Sequence, residues 1–175
     1  MQHKIIFCGS VGAGKTTAIA AISDKKVVST EAKASDDVKS KKATTTVAMD
    51  YGVLNLDSGA RVHLYGTPGQ QRFDYMWDIL SAGGLGLVIL VDNTAEDPLG
   101  EMEFYIKSFE PFLKDKPFCV GVTRMDLGPR PRLGEYQEKL IELGRYAPVF
   151  EVDARSANDV KTLIRGLIHL IAVGV

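Results

Sequence analysis

Residues 9 to 16 read Gly9-Ser10-Val11-Gly12-Ala13-Gly14-Lys15-Thr16, a spacing of glycines, lysine and hydroxyl suited to holding phosphate. Glycines let successive backbone N–H groups wrap one anion, and the positive end of a following helix faces the same charge. Lys15 adds an ammonium for the outer phosphates, Thr16 offers its hydroxyl to a hard cation such as Mg²⁺, and Thr17 is the last phosphate contact of the stretch. The context supports the pattern: residues 4–8 (Lys-Ile-Ile-Phe-Cys) read as a strand, and 16–22 have helical composition.

A phosphate loop does not select a base; the residue expected to do so is Asp126. Two carboxylate oxygens accept from N1–H and the 2-amino group of guanine, whereas adenine presents an acceptor at N1. Thr123-Arg124-Met125-Asp126 follows an apolar strand segment and resembles the Asn/Thr-Lys-x-Asp element of GTPases. The lysine stem of that element stacks under the base, and Arg124 puts a planar cation there that can stack comparably. Asp153-Ala154-Arg155 resembles the Ser-Ala-Lys loop, whose alanine N–H donates to guanine O6; from the residues alone an ordinary turn is an equal reading.

Gly66-Thr67-Pro68-Gly69-Gln70 stands where Ras-like proteins carry Asp-x-x-Gly-Gln. The resemblance makes Gly69 the sensor of the γ-phosphate and Gln70 the catalytic, water-orienting glutamine. It also leaves Gly66 in place of the aspartate that holds Mg²⁺ through water. Thr44-Thr45-Thr46 resembles the first switch; register with the next strand selects Thr46 for Mg²⁺ and the γ-phosphate, against an ordinary polar loop. Asp92, after Leu87-Val88-Ile89-Leu90-Val91, fits a loose Walker B pattern, but its place after the fourth strand favours a loop tether. Val11, often glycine in Ras-type loops, would point toward the γ-phosphate and Gln70, which predicts slow hydrolysis. Arg72 is a candidate catalytic arginine or an exposed helix-start residue.

These groups need strands to aim them. Residues 24–46 are polar without a sustained apolar period and read as one long loop. Residues 47–56 and 61–65 read as a hairpin through Asp57-Ser58-Gly59. Helix at 73–81, strand at 86–91, helix at 100–113, strand at 117–122, helix at 133–144, strand at 147–152 and helix at 158–171 complete the alternation. The expected fold is α/β: a three-layer P-loop NTPase of Ras-like G-domain type, as one domain over 1–175. Its sheet has six strands, mostly parallel, with one antiparallel hairpin and helices on both faces. Ligands then bind beyond the carboxyl ends of the strands.

The chain of 175 residues suits one globular domain, and 45% hydrophobic with 25% charged residues is the composition of a folded protein. A net charge of -1 gives no broad attraction to nucleic acid or anionic lipid. Cys8 and Cys119 lie in apolar runs and read as core residues, without metal spacing or disulfide logic. The N-terminus has neither signal-peptide character nor a glycine at position two, and the C-terminus lacks a prenylatable cysteine. The longest apolar run, 85–91, is too short to span a bilayer. The expectation is a cytoplasmic protein without direct membrane insertion, recruited to a membrane or cell pole only by partners.

The motifs together resemble the Ras superfamily over nearly the whole chain. The form Thr67-Pro68-Gly69-Gln70, with Arg72-Phe73 and Met76-Trp77, is most similar to a bacterial branch, the gliding-motility polarity GTPases and the small GTPases of actinobacterial conservon clusters. That resemblance implies GTP/GDP as ligand, Mg²⁺ as cofactor, no lipidation, and protein effectors with a Roadblock-type activator or scaffold. It points to a regulatory GTPase switching through 24–46 and 66–80. The alternative is a GTP-binding interaction module with negligible hydrolysis; a P-loop kinase is a third class, opposed by the hairpin and by Asp126.

Overall fold

The computed structural model describes residues 2–29, 49–69 and 75–174. Its strands are β1 (Gln2–Cys8), β2 (Val28–Ser29), β3 (Asp50–Asn55), β4 (Arg61–Gly66), β5 (Gly86–Asp92), β6 (Phe118–Thr123) and β7 (Val149–Glu151). Its helices are α1 (Lys15–Ile22), α2 (Tyr75–Ser81), α3 (Pro98–Ser108), α4 (Glu110–Leu113), α5 (Leu133–Glu142) and α6 (Ala157–Val173). The fold is mixed α/β, compatible with a P-loop NTPase.

The sheet runs β2-β3-β4-β1-β5-β6-β7. β1 is parallel to both β4 and β5, and β5, β6 and β7 continue in parallel, while β3 runs antiparallel to its two neighbours, β2 and β4. Chain connections therefore part to either side of β1, which places the loop after it at a switch point of the sheet.

Alternation along the central strands builds two cores. Ile5 and Phe7 pack with Val88, Leu90, Leu163 and Leu167 under α1 and α6. Ile6 and Cys8 face the other way, toward Ile89, Val91, Trp77, Met102 and Tyr136 under α2, α3 and α5. Such two-sided burial is why the parallel strands read as continuous apolar runs. Cys8 and Cys119 are free and buried, and burial pushes both thiols well above the usual range. Among the described residues no helix is long and apolar enough to cross a membrane.

Among the described residues the sheet has seven strands rather than six. Val28 and Ser29 pair with Tyr51 and Asp50 within the stretch read as loop, and two exposed residues are too few to show a period. The approach to them is pinned as well: the Asp24 N–H donates to Val53 O at 2.7 Å, and its carboxylate accepts from Asn55 N at 2.6 Å. The helix expected at 100–113 begins at Pro98, where Asp97 caps it by accepting from Gly100 N at 2.9 Å, and breaks at Phe109. Pro111, with no N–H to continue the ladder, opens the separate short α4.

Candidate functional site

The loop from Gly9 to Gly14 leaves the end of β1 and turns into α1. Gly9 has φ 146° and lies so close to β5 that a Cβ would sit 2.3 Å from Leu90 O. Gly14 takes the N-cap of α1 at φ 102°, leaving the first N–H groups of the helix unscreened by a side chain. Lys15 is buried and folds back over the loop, its ammonium donating to Gly9 O at 2.5 Å and Ser10 O at 2.8 Å. Burial draws its pKa down to about 8, against the opposing charges of Asp50 and Glu101. Ala13 is buried, and Val11 is 70% exposed at the tip.

Gly69 lies directly on this loop. A Cβ there would come within 2.5 Å of Val11 N and 2.9 Å of Lys15 Nζ. The segment leading to it is held from below: Thr67 N donates to Phe7 O at 2.8 Å, Trp77 Nε1 to Pro68 O at 3.3 Å and Tyr105 Oη to Gly69 O at 3.3 Å. Trp77 itself stacks on Phe109 at 5.2 Å between centroids. Gln70 and Thr46, with Arg72 and Phe73, lie outside the described residues.

Beside the loop opens a cavity of about 610 Å³, lined by Gly14, Thr17, Arg124, Asp126, Asp153 and Ala154 among others, a volume in the range of small-ligand sites. Three elements expected to cooperate thus meet: the loop after β1, the turn after β6 and the turn after β7. Asp126 is exposed at the cavity wall. Ala154 packs against the loop, its Cβ lying 3.0 Å from where a Cβ on Gly14 would be.

Other predicted residues have more local tasks. Thr123 is buried, with its hydroxyl within donating distance of Ala13 O at 3.2 Å and Val91 O at 3.3 Å, so it braces the end of β6 against the phosphate loop. Arg124 has φ 57°, and its guanidinium pairs with Asp92. Asp92 also accepts from Thr94 N and Oγ1 at 2.9 and 2.6 Å, which makes it a tether of its own loop. Burial works against its charge, but the Thr94 and Arg124 bonds prevail and hold its pKa below the usual carboxylate value. Asp153 and Arg155 bind each other, with Nε to Oδ1 at 2.9 Å and Nη2 to Oδ2 at 2.8 Å, and this pairing draws the Asp153 pKa down to about 2.

Two supporting residues escaped the sequence reading. Asn93 is buried, donates to Gly128 O at 2.7 Å and accepts from Tyr136 Oη at 2.6 Å, which fixes the turn carrying Asp126. An asparagine one residue past a strand carries no distinguishing signal. Asp50, at the start of β3, accepts from Thr16 Oγ1 at 2.5 Å and from Ser29 Oγ; only strand pairing brings it to the loop.

Known proteins bear on this arrangement. The family model described as "Conserved hypothetical ATP binding protein" matches residues 24–170, beginning beyond the phosphate loop and α1. An uncharacterized protein of Methanocaldococcus jannaschii is 31% identical over 127 residues, covering 73% of each chain. The Ras-related protein Rab-13 of Canis lupus familiaris is 24% identical over 166 residues, or 90% of this chain and 73% of that one. The family match runs from just after α1 into the last turns of α6, so the chain belongs to the conserved hypothetical ATP binding protein family, as a nucleotide-binding protein of P-loop, GTPase-like build.

Proposed function

We propose that the protein is a small regulatory GTPase that binds GTP and GDP with Mg²⁺ and changes partner binding through residues 24–46 and 66–80. One observation carries the guanine reading: the exposed Asp126 carboxylate borders the cavity that adjoins the phosphate loop. A carboxylate there accepts two hydrogen bonds from guanine and meets a lone pair on adenine. The family description speaks of ATP, but its match begins after the phosphate loop and specifies no contact to the base.

The oxygen donors near Lys15 suit Mg²⁺. Thr16 presents a hydroxyl beside the Asp50 carboxylate, and Mg²⁺ at nucleotide sites takes one or two protein oxygens, phosphate oxygens and water. The position of Gly69 against Val11 N and Lys15 Nζ supports its role as reporter of the γ-phosphate, with Gln70 next in the chain as the water-orienting residue. Thr46 is the proposed switch threonine. The resemblance to gliding-motility and conservon GTPases adds protein effectors and a Roadblock-type partner.

Gly66 and the exposed Val11 favour a second reading, a GTP-binding module with negligible turnover. Competition of GDP, GTP and ATP against a fluorescent guanine nucleotide tests the common part: guanine nucleotides displace the probe and ATP does not. Preference for ATP overturns both readings. Phosphate release then separates them, since tight GTP binding without release, even with cell extract added, leaves the module.

A further inference from the structure

The end of β4 is glycine where a carboxylate would assist a nucleotide-bound cation, yet a carboxylate is present beside it. In the β3–β4 ladder Gly66 lies directly opposite Asp50. Residues so paired hold their Cβ atoms about 4.5–5.5 Å apart, so a functional group moved across the ladder stays within a side chain's reach of its former place. A Cβ on Gly66 would lie 3.1 Å from Asp50 Cβ and 3.2 Å from Asp50 Oδ2. The space a longer residue at 66 would enter is therefore taken by the Asp50 carboxylate.

That carboxylate is aimed at the start of α1. Oδ2 accepts from Thr16 Oγ1 at 2.5 Å, and Oδ1 accepts from Ser29 Oγ on β2. A hydroxyl has one proton and two lone pairs. Thr16 spends its proton on Asp50, leaving its lone pairs for a cation. Two hard oxygens from separate elements thus stand together next to Lys15, at the edge of the phosphate loop.

We propose that Asp50 supplies, from the neighbouring strand, the Mg²⁺-site carboxylate that position 66 lacks. The inference rests on the Mg²⁺–guanine nucleotide reading above. It makes the missing aspartate a relocation: the carboxylate comes from β3 instead of β4, and Gly66 is small because Asp50 needs the room.

The test uses the full chain loaded with GDP. Mn²⁺ binding is followed by the paramagnetic resonance signal of the free ion, and release of a fluorescent GDP is timed in Mg²⁺ and in chelator. Asp50→Asn keeps the size and an acceptor for Thr16 but removes the charge. The expected result is Mn²⁺ binding about 10–100-fold weaker and a ratio of the two release rates that collapses toward one. A role confined to bracing the hairpin would leave Mn²⁺ affinity and that ratio unchanged, which overturns the proposal. The exchange Asp50→Gly with Gly66→Asp covers the case in which the single variant does not fold: recovered Mn²⁺ binding supports relocation, and a folded, GDP-binding exchange variant without it overturns relocation. If the unaltered GDP complex takes up no Mn²⁺, the Mg²⁺ reading fails with the proposal; if it does and Asp50→Asn matches it, only Asp50 is excluded.

Discussion

A carboxylate and the N1 lone pair of adenine repel at contact distance, so on the proposed reading Asp126 alone decides which nucleotide the cavity prefers. Removing it with Asp126→Ala takes away two hydrogen bonds to a charged group, each worth about 1.5–3 kcal/mol, and GDP affinity should fall by about 100-fold or more in an equilibrium titration. ATP affinity should hardly change, because the carboxylate contributes nothing favourable to adenine. On the same reading Val11 stands at the opposite end of the nucleotide. Its side chain stands exposed at the loop tip with Gly69 against its backbone N. Val11→Gly is expected to raise the single-turnover hydrolysis rate several-fold by opening the approach for water, and an unchanged rate would remove Val11 as the cause of slow turnover.

Secondary-structure elements turn these residues into a site, and here the sequence was unevenly informative. The phosphate loop, the guanine-type turn and the Asp153-Ala154-Arg155 turn could be read because each is contiguous and follows an apolar strand. Their convergence on one cavity follows from parallel strands whose carboxyl ends share an edge. Asp50 and Asn93 could not be read, since their importance arises from partners 34 and 35 residues away in the chain. The two-residue β2 was missed for the same reason: what makes it a strand is β3 beside it. Asn93→Ala is the corresponding element-scale prediction. It strands the Gly128 carbonyl and the Tyr136 hydroxyl in a buried place, at about 1–3 kcal/mol each. Denaturant unfolding should show a loss of about 2–6 kcal/mol, with weaker GDP binding because the turn bearing Asp126 is released.

For the molecule as a whole, ligand binding and folding are linked. A nucleotide held only by the folded chain, present at a hundred times its Kd, stabilises it by about 2.7 kcal/mol. At this size that corresponds to a rise in Tm of about 5–11 °C. Guanine nucleotides with Mg²⁺ should produce that shift, and adenine nucleotides at equal concentration should not. An equal shift with ATP would place base discrimination elsewhere than Asp126.

The β3–β4 hairpin carries one more implication. Its ladder runs from Asn55 opposite Arg61, beside the Asp57-Ser58-Gly59 turn, to Asp50 opposite Gly66 at the far end. Five steps of about 3.4 Å separate the ends, about 17 Å in all. Side chains alternate between faces along a strand, so slipping one strand by a single residue would swing the Asp50 carboxylate to the wrong side of the sheet. The number of residues in a solvent-facing turn therefore sets the chemistry at the distant edge, and a one-residue insertion there should damage nucleotide handling without altering any residue that touches the nucleotide.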